Sequence, residues 1–280
     1  MSWWAIAKRV WQQTGEDNIS ILAAGVAFYS LLSIFPALAA LVSVYGLVAD
    51  PTIVQRELHG LRGVLPADAV SLLSGWLEQL AQRPRSSFGT GLVLSLLLSL
   101  WTARYATGAM MTALNVAYDE PESRSLLMFN AVAFALTAVL ILFDIVVVAL
   151  VAVMPAVLGL LPLPSGWLSA LSLLRWPMLA ALTVVALAAL YRYAPNRADP
   201  SWEWASAGAI AATALWIIGS YGFSIYLSRF AGYDQTYGSV GAIVVLLIWF
   251  WLGAYAVLLG AELNSEIERQ RRPNNAVAAG

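Results

Sequence analysis

The sequence has little charge and no cysteine, and both shortages exclude whole classes of protein. Only 11% of the 280 residues are charged, whereas 60% are hydrophobic. Soluble domains carry about 25% charged residues, and a protein of this size cannot cover a water-facing surface with so few. The absence of cysteine excludes disulfides, thiolate metal sites and cysteine nucleophiles. The net charge of −1 gives no electrostatic reason to bind nucleic acid.

Histidine is almost absent as well, and the carboxylates are not gathered in one place. His59 is the single histidine, so no pair of histidines is available to hold a metal ion. The acidic residues are scattered over several polar segments. Hydrolytic chemistry needs a metal held by clustered ligands, or a positioned acid and base. The sequence therefore predicts no enzyme, no metal site and no cofactor.

Long uncharged runs take the place of these polar groups. The last of them extends from Val240 to Ala261, and as a helix it spans about 33 Å at about 1.5 Å per residue. A hydrocarbon layer is about 30 Å thick. No helix of a soluble protein needs apolar groups on every side over such a length. The run therefore predicts a transmembrane helix.

Six long, predominantly apolar runs predict an all-α, polytopic membrane protein. The predicted spans cover about residues 19–49, 89–118, 126–161, 167–193, 202–230 and 238–265. Residues 1–272 are predicted to form one membrane domain, and 273–280 a flexible C-terminal tail. Two amphipathic stripes within 50–87 predict a helical cap on the outer face.

The N-terminal segment is predicted to lie on the membrane surface. Trp3, Trp4 and Trp11 share one helical face, which indicates an interfacial helix. Six spans place both termini on one side of the membrane, and the positive-inside rule identifies that side. The segments on the side of the termini carry more cationic residues than those on the other side. These are Lys8, Arg9, Arg124, Arg192, Arg197, Arg269, Arg271 and Arg272. This distribution predicts cytoplasmic termini.

Three stretches carry a resemblance to a known family. They are Asp17-Asn18-Ile19-Ser20 with the small-residue run that continues to Pro36, then Tyr193-Ala194-Pro195, and finally Tyr237-Gly238-Ser239 continuing to Gly260-Ala261-Glu262-Leu263-Asn264. In order and spacing they resemble the YihY/BrkB family of bacterial inner-membrane proteins, over nearly the whole chain. The resemblance implies a multi-pass inner-membrane protein with cytoplasmic termini and a transporter-like or envelope-associated role. A ribonuclease label once attached to that family has no support in these residues.

Two charged residues lie deep inside the apolar runs. Arg104 lies near the middle of the second predicted span, and Asp144 lies within the third. A charge at the bilayer centre costs roughly 3 kcal/mol on insertion scales, so we expect the two side chains to pair or to face water. A salt bridge between these neighbouring spans would fix their register. Alternatively, the two charges line a polar cavity or a substrate path.

A second group of polar residues is predicted near the inner face. Its members are Asp17, Asn18, Asn115, Asn130, Glu262 and Asn264. One interpretation is that they are helix-end groups that meet water. The other is a polar cluster that binds an ion, a proton or a headgroup, with Glu262 as the preferred member because it interrupts an apolar run.

Proline and small residues indicate irregular or close packing. Pro36, Pro155 and Pro177 lie inside predicted spans and are candidate helix kinks. Gly208 and Ala212 have the small-xxx-small spacing that favours close helix contact in the fifth span.

Together these features favour a transporter-like or lipid-handling membrane protein whose substrate is an unidentified solute, ion or lipid. The alternative is a structural or scaffolding protein of the cell envelope, in which the intramembrane charges only lock the bundle. Membrane lipids are the predicted partners, an oligomer is compatible with the sequence, and no nucleic acid is expected.

Overall fold

The computed structural model describes residues 3–48, 86–154, 165–197, 206–229 and 233–278. Every regular element in these ranges is helical, as predicted. The helices are α1 (Trp3–Glu16), α2 (Ile19–Val48), α3 (Ser86–Ala117), α4 (Leu126–Val148), α5 (Ser165–Tyr193), α6 (Ala207–Arg229) and α7 (Tyr233–Ala278). A π-helical turn, Ala149–Val153, continues α4.

Four helices in the described ranges are long and apolar enough to cross a membrane. The four stretches are Leu126–Val151, Leu173–Tyr193, Ala207–Leu227 and Ile243–Gln270. The pair Trp3–Glu16 and Ile19–Ile34, bent by 62°, would add a fifth if it is counted as one broken span. Helix α3, which carries Arg104, is not among them. An all-α membrane protein is thus confirmed, and the number of six spans stays a prediction.

Several sequence predictions fall at the edges of the described ranges. The outer cap predicted for 50–87 lies outside them, apart from the first residues of α3. Pro155 also lies outside them, directly after the π-helical turn and Met154. Pro36 and Pro177 lie within the continuous helices α2 and α5. Helix α7 runs to Ala278 and so extends into the segment predicted as a tail.

The tightly packed core lies at the end of the bundle that carries both termini. Helix α7 packs there against α1, α2, α3 and α6. Small side chains and a few larger apolar ones fill the contacts. Fully or almost fully buried members are Ile19, Ala23, Met111, Leu114, Ala117, Ala133, Ala194, Ala209, Leu258 and Ala261. Large apolar side chains elsewhere on the helices stay exposed, which suits a surface that faces lipid.

Helices α6 and α7 touch through glycine. A Cβ atom on Gly208 would collide with the carbonyl oxygen of Gly260, and one on Gly260 would lie 2.8 Å from the Cβ of Ala212. Neither glycine leaves room for a side chain, so the two backbones are in direct contact. The close packing predicted from the spacing of Gly208 and Ala212 is therefore confirmed.

A sharp turn separates α1 from α2, and the axes of the two helices differ by 62°. Asn18 takes the left-handed conformation with φ 51°, which asparagine tolerates better than most residues. Trp3, Trp4 and Trp11 are 71–80% exposed on α1. Their placement at a membrane interface stays a prediction.

Candidate functional site

Arg104 lies on α3 among aromatic side chains. Its guanidinium carbon is 4.2 Å from the ring centroid of Tyr105, 5.0 Å from that of Trp101 and 5.9 Å from that of Phe134. Nη1 of Arg104 donates a hydrogen bond to Oδ1 of Asn130 on α4. Nε is buried and has no hydrogen-bond partner among the described residues. In the described part of the chain, no carboxylate forms an ion pair with this cation.

Of the two arrangements that the sequence allows for Arg104 and Asp144, the salt bridge does not form, and the register of α3 and α4 explains why. Phe134 is the residue of α4 that lies level with Arg104, and Asp144 follows ten residues later, about 15 Å further along the helix at about 1.5 Å per residue. Asp144 is exposed on α4, and no described lysine or arginine forms an ion pair with it.

The offset arises because α3 extends past the start of α4. A Cβ atom on Gly108 would lie 3.4 Å from the ring of Phe129. Phe129 is in the first turn of α4, whereas Gly108 is more than two turns before the end of α3. Residues equally far along the sequence from the loop that joins α3 and α4 therefore do not lie at the same level in the bundle.

The aromatic surroundings of Arg104 continue onto α2. Tyr29 stacks on Tyr105 with 5.9 Å between centroids and 21° between planes. Trp101 and Phe134 lie 6.3 Å apart. All four rings are partly exposed on the outside of the bundle. We call Arg104, Asn130 and these four aromatic residues the Arg104 cluster.

Glu262 and Asp17 face each other at the end of the bundle that carries the termini. Glu262 on α7 is only 3% exposed, and its carboxyl group lies within hydrogen-bonding reach of that of Asp17. Oε1 of Glu262 is buried and accepts no hydrogen bond from any described residue. One turn later, Glu266 accepts hydrogen bonds from Nη1 of Arg9 at 3.1 Å and from Nε2 of Gln270 at 2.6 Å.

Asn264, a further predicted member of this polar group, caps a helix instead. Its Oδ1 accepts a hydrogen bond of 2.8 Å from the backbone N–H of Gly208, and its Nδ2 donates to Oγ of Ser206 at 3.0 Å. The first backbone N–H groups of a helix lack intrahelical partners, so Asn264 satisfies the start of α6. A structural role accounts for this residue.

The side-chain amide of Asn115 has hydrogen-bond partners at both its nitrogen and its oxygen. Nδ2 donates to Oε2 of Glu122 at 2.8 Å, and Oδ1 accepts from the backbone N–H of Asn196 at 2.7 Å. Arg124 donates to the carbonyl of Ala194 at 3.0 Å and to Glu122. These bonds fasten the α3–α4 loop to the residues after α5, which gives the Tyr193-Ala194-Pro195 stretch a structural role.

The hydrogen bonds from Arg124 also set the acidity of Glu122. They lower the pKa of its carboxyl group from an ordinary 4.5 to about 2, with a smaller contribution from Asn115. Glu122 therefore stays ionised well below neutral pH.

The six polar residues predicted near one face thus divide into separate roles. Asn130 belongs with Arg104, Asp17 faces Glu262, and Asn115 and Asn264 hold loops and helix ends. The exposed Asn18 makes the turn between α1 and α2, and its Nδ2 donates to the carbonyl of Glu16 at 3.2 Å.

Sequence reasoning missed the aromatic members of the Arg104 cluster and the ion pair of Arg9 with Glu266. Trp101 is visible in the sequence, because the position three residues before Arg104 adjoins it on a helix. The sequence has no comparable signal for Tyr29 or Phe134, which depend on packing between helices. Nor does it indicate the small cavity that Tyr118, Arg192, Arg197, Ser206, Asn264 and Glu268 help to line.

These features define a class: an all-α membrane protein that keeps charged groups between its apolar helices. The chain belongs to the BrkB family, because the family described as Virulence factor BrkB matches residues 10–279. The resemblance seen in the sequence is thereby confirmed.

Relatives in several bacteria support this assignment. The chain is similar to Putative ribonuclease-like protein YfkH of Bacillus subtilis, with 32% identity over 256 residues, 89% of this chain and 90% of that protein. It is 26% identical to a UPF0761 membrane protein of Psychromonas ingrahamii, over 95% of this chain and 89% of that protein. For UPF0761 membrane protein Smlt0865 of Stenotrophomonas maltophilia the identity is 26%, over 92% of this chain but 59% of that protein. No solved structure matches the chain.

Proposed function

We propose that this protein is a transporter-like or lipid-handling protein of the bacterial inner membrane, with cytoplasmic termini, and that it binds an anionic amphiphile at the Arg104 cluster. The proposal rests on the surroundings of the Arg104 guanidinium group. The described residues give it one amide oxygen and three aromatic faces, but no carboxylate. A charge in an apolar helix is costly, and an ionisable residue kept there is a functional candidate by default.

The chemistry of the cluster indicates what kind of ligand it would take. Guanidinium binds carboxylate and phosphate groups through parallel hydrogen bonds. The exposed rings of Tyr29, Trp101, Tyr105 and Phe134 offer an apolar surface beside that donor. A ligand with an anionic head and an apolar body matches both. Fatty acids and anionic phospholipids have this composition.

The position of Arg104 fits movement of such a ligand. It precedes the end of α3 at Ala117 by thirteen residues, or about 20 Å along the helix. A headgroup held there would lie well away from the end of the bundle that carries the termini. Arg104 would then be an intermediate binding position for the anionic group as it crosses an otherwise apolar layer.

A scaffolding protein is the second candidate, and the bond between Arg104 and Asn130 favours it. That bond joins α3 to α4, and cation–π contacts contribute about 0.5–2 kcal/mol each. In this case Arg104 only holds the helices together. The two candidate functions make different predictions about binding. Only the first requires that the binding of a ligand depends on the charge of Arg104.

Thermal unfolding of the purified protein separates them. We expect oleate and phosphatidylglycerol to raise the unfolding temperature of the wild type, and neutral monoolein to have little effect. Arg104→Gln should lose the response to the anions. Arg175→Gln is the matched control, because Arg175 also stacks on a tryptophan, Trp176, at 5.2 Å. Equal responses in both variants would favour the scaffold.

We also propose that the protein does not cleave RNA. The word ribonuclease in the name of YfkH is said of that relative alone. Within the described ranges, no group of three or more acidic or histidine side chains is placed to hold a metal ion. RNA cleavage by the purified protein, lost in a variant of one of its own residues, would contradict this proposal.

A further inference from the structure

The end of α7 holds a buried carboxyl group that the anion site does not use. Glu262 is 3% exposed, and its Oε1 is aimed at no donor in the described part of the chain. Asp17, at the turn between α1 and α2, brings a second carboxyl group within hydrogen-bonding reach. We infer that Asp17 and Glu262 form a proton-binding site, in which the two carboxyl groups share one proton.

Two ionised carboxylates in contact repel each other strongly when water is excluded, whereas one proton between them makes a hydrogen bond. The aspartic protease dyad shows the same chemistry. Here the shared proton would supply a hydrogen-bond donor to the carboxyl group of Glu262, whose buried Oε1 accepts no hydrogen bond from any described residue.

The surrounding charges do not neutralise this pair. Arg9 of α1 is 3.1 Å from Glu266 and is engaged there. Glu266 itself adds negative charge one turn away on α7, and the phenol of Tyr118, in the turn directly after α3, also interacts electrostatically with Glu262. Among the described residues, no lysine or arginine forms an ion pair with Asp17 or Glu262.

A proton fits this site better than a metal ion. Cations such as calcium take six to eight oxygen ligands, and no set of three carboxylate or histidine side chains in the described ranges is arranged for one. The two carboxyl groups alone suffice for a proton.

The shared proton also joins two parts of the fold. Asp17 lies where α1 bends by 62° from α2, and Glu262 lies on the central helix α7. Loss of the proton would place two negative charges together at this junction. We expect α1 to move away from α7 as a result, with the ion pair of Arg9 and Glu266 as the remaining link.

Infrared spectroscopy of the purified protein in lipid nanodiscs tests the site. Near neutral pH, the difference spectrum of wild type minus Glu262→Gln should contain the C=O band of a protonated carboxylic acid, and so should wild type minus Asp17→Asn. Either amide can replace the shared proton as a donor, so we expect both variants to fold, with unfolding temperatures near that of the wild type. Glu266→Gln is the control and should keep the band, because Glu266 pairs with Arg9 as an anion.

The proton site would be ruled out if neither difference spectrum contained the protonated band. It would also be ruled out if Glu266→Gln removed the band as completely as Glu262→Gln does. The Arg104 cluster contributes no residue to this site, so either proposal can fail while the other holds.

Discussion

Oδ1 of Asn264 on α7 accepts a hydrogen bond of 2.8 Å from the backbone N–H of Gly208 at the start of α6. One helix thereby caps another from the side, at the point where their backbones touch. Asn264, three residues after the last apolar run, therefore connects α7 to α6, and its burial follows from that role.

Replacement of this cap should weaken the bundle. Asn264→Leu leaves the N–H of Gly208 without its partner and removes one of the two N–H groups that donate to Oγ of Ser206, and an unsatisfied buried polar group costs about 1–3 kcal/mol. We expect a loss of that size in the free energy of unfolding, measured by denaturant titration in detergent. Gln12→Leu, at an exposed position on α1, is the control and should change the stability by less than about 0.5 kcal/mol. Equal stability of the two variants would contradict the cap.

Glycine to alanine substitutions at two positions should change the free energy of unfolding in opposite directions. A Cβ atom on Gly260 would lie 2.8 Å from that of Ala212 and collide with Tyr191 and Gly208, whereas one on Gly222 in α6 meets nothing within 4 Å. Alanine should stabilise the helix at Gly222 by about 0.5–1 kcal/mol. At Gly260 overpacking should cost about 1–3 kcal/mol or more. The comparison uses the same denaturant titration, and a stabilising Gly260→Ala would refute the close contact.

The α3–α4 loop should lose stability in acid through Glu122. Its pKa in the folded protein is about 2, below the ordinary 4.5. A carboxylate with a lowered pKa stabilises the fold above its ordinary pKa, and that contribution disappears as the pH falls from about 4.5 to 2. Because Glu122 is exposed to solvent, we expect at most about 1 kcal/mol. Unfolding of Glu122→Gln measured from pH 6 to pH 3 should show a weaker pH dependence than that of the wild type; an identical slope would contradict the prediction.

Asn130→Asp separates the structural role of Arg104 from its proposed binding role. The new carboxylate would form a charge-assisted bond to the guanidinium, so the fold should be as stable as the wild type or more so. It would also neutralise the cation, and oleate binding should fall at least tenfold. Tryptophan fluorescence titration measures the affinity, and unchanged binding would show that the charge of Arg104 is not used by the ligand.

The helical class of the fold could be predicted from composition, because apolar runs of this length have few alternatives in a membrane. The close packing of α6 was also predictable, since Gly208 and Ala212 carry the spacing that allows it, although this spacing does not identify α7 as the partner helix. Both properties are local to one segment. They need no knowledge of how the segments meet.

The partner of Arg104 could not be predicted in the same way. Its level in the bundle relative to α4 depends on how far α3 extends past the start of α4, and the residues of the connecting loop do not encode that distance in any simple pattern. Asp144 and Phe134 are ten residues apart on α4, so the position of α4 along α3 determines which of the two lies level with Arg104. Asn115 was ambiguous for a related reason, because its partner Asn196 comes from a helix end distant in sequence.

The most direct test of the Arg104 proposal is the rate at which an anionic phospholipid moves between the two leaflets of proteoliposomes. Purified wild type, Arg104→Gln and Arg175→Gln are reconstituted at equal amounts, and the movement of a fluorescent anionic phospholipid between leaflets is followed by quenching from outside. The account predicts movement above protein-free liposomes for the wild type and Arg175→Gln, and at least a tenfold slower rate for Arg104→Gln. Equal rates for all three proteins, or no movement above the protein-free background, would contradict it.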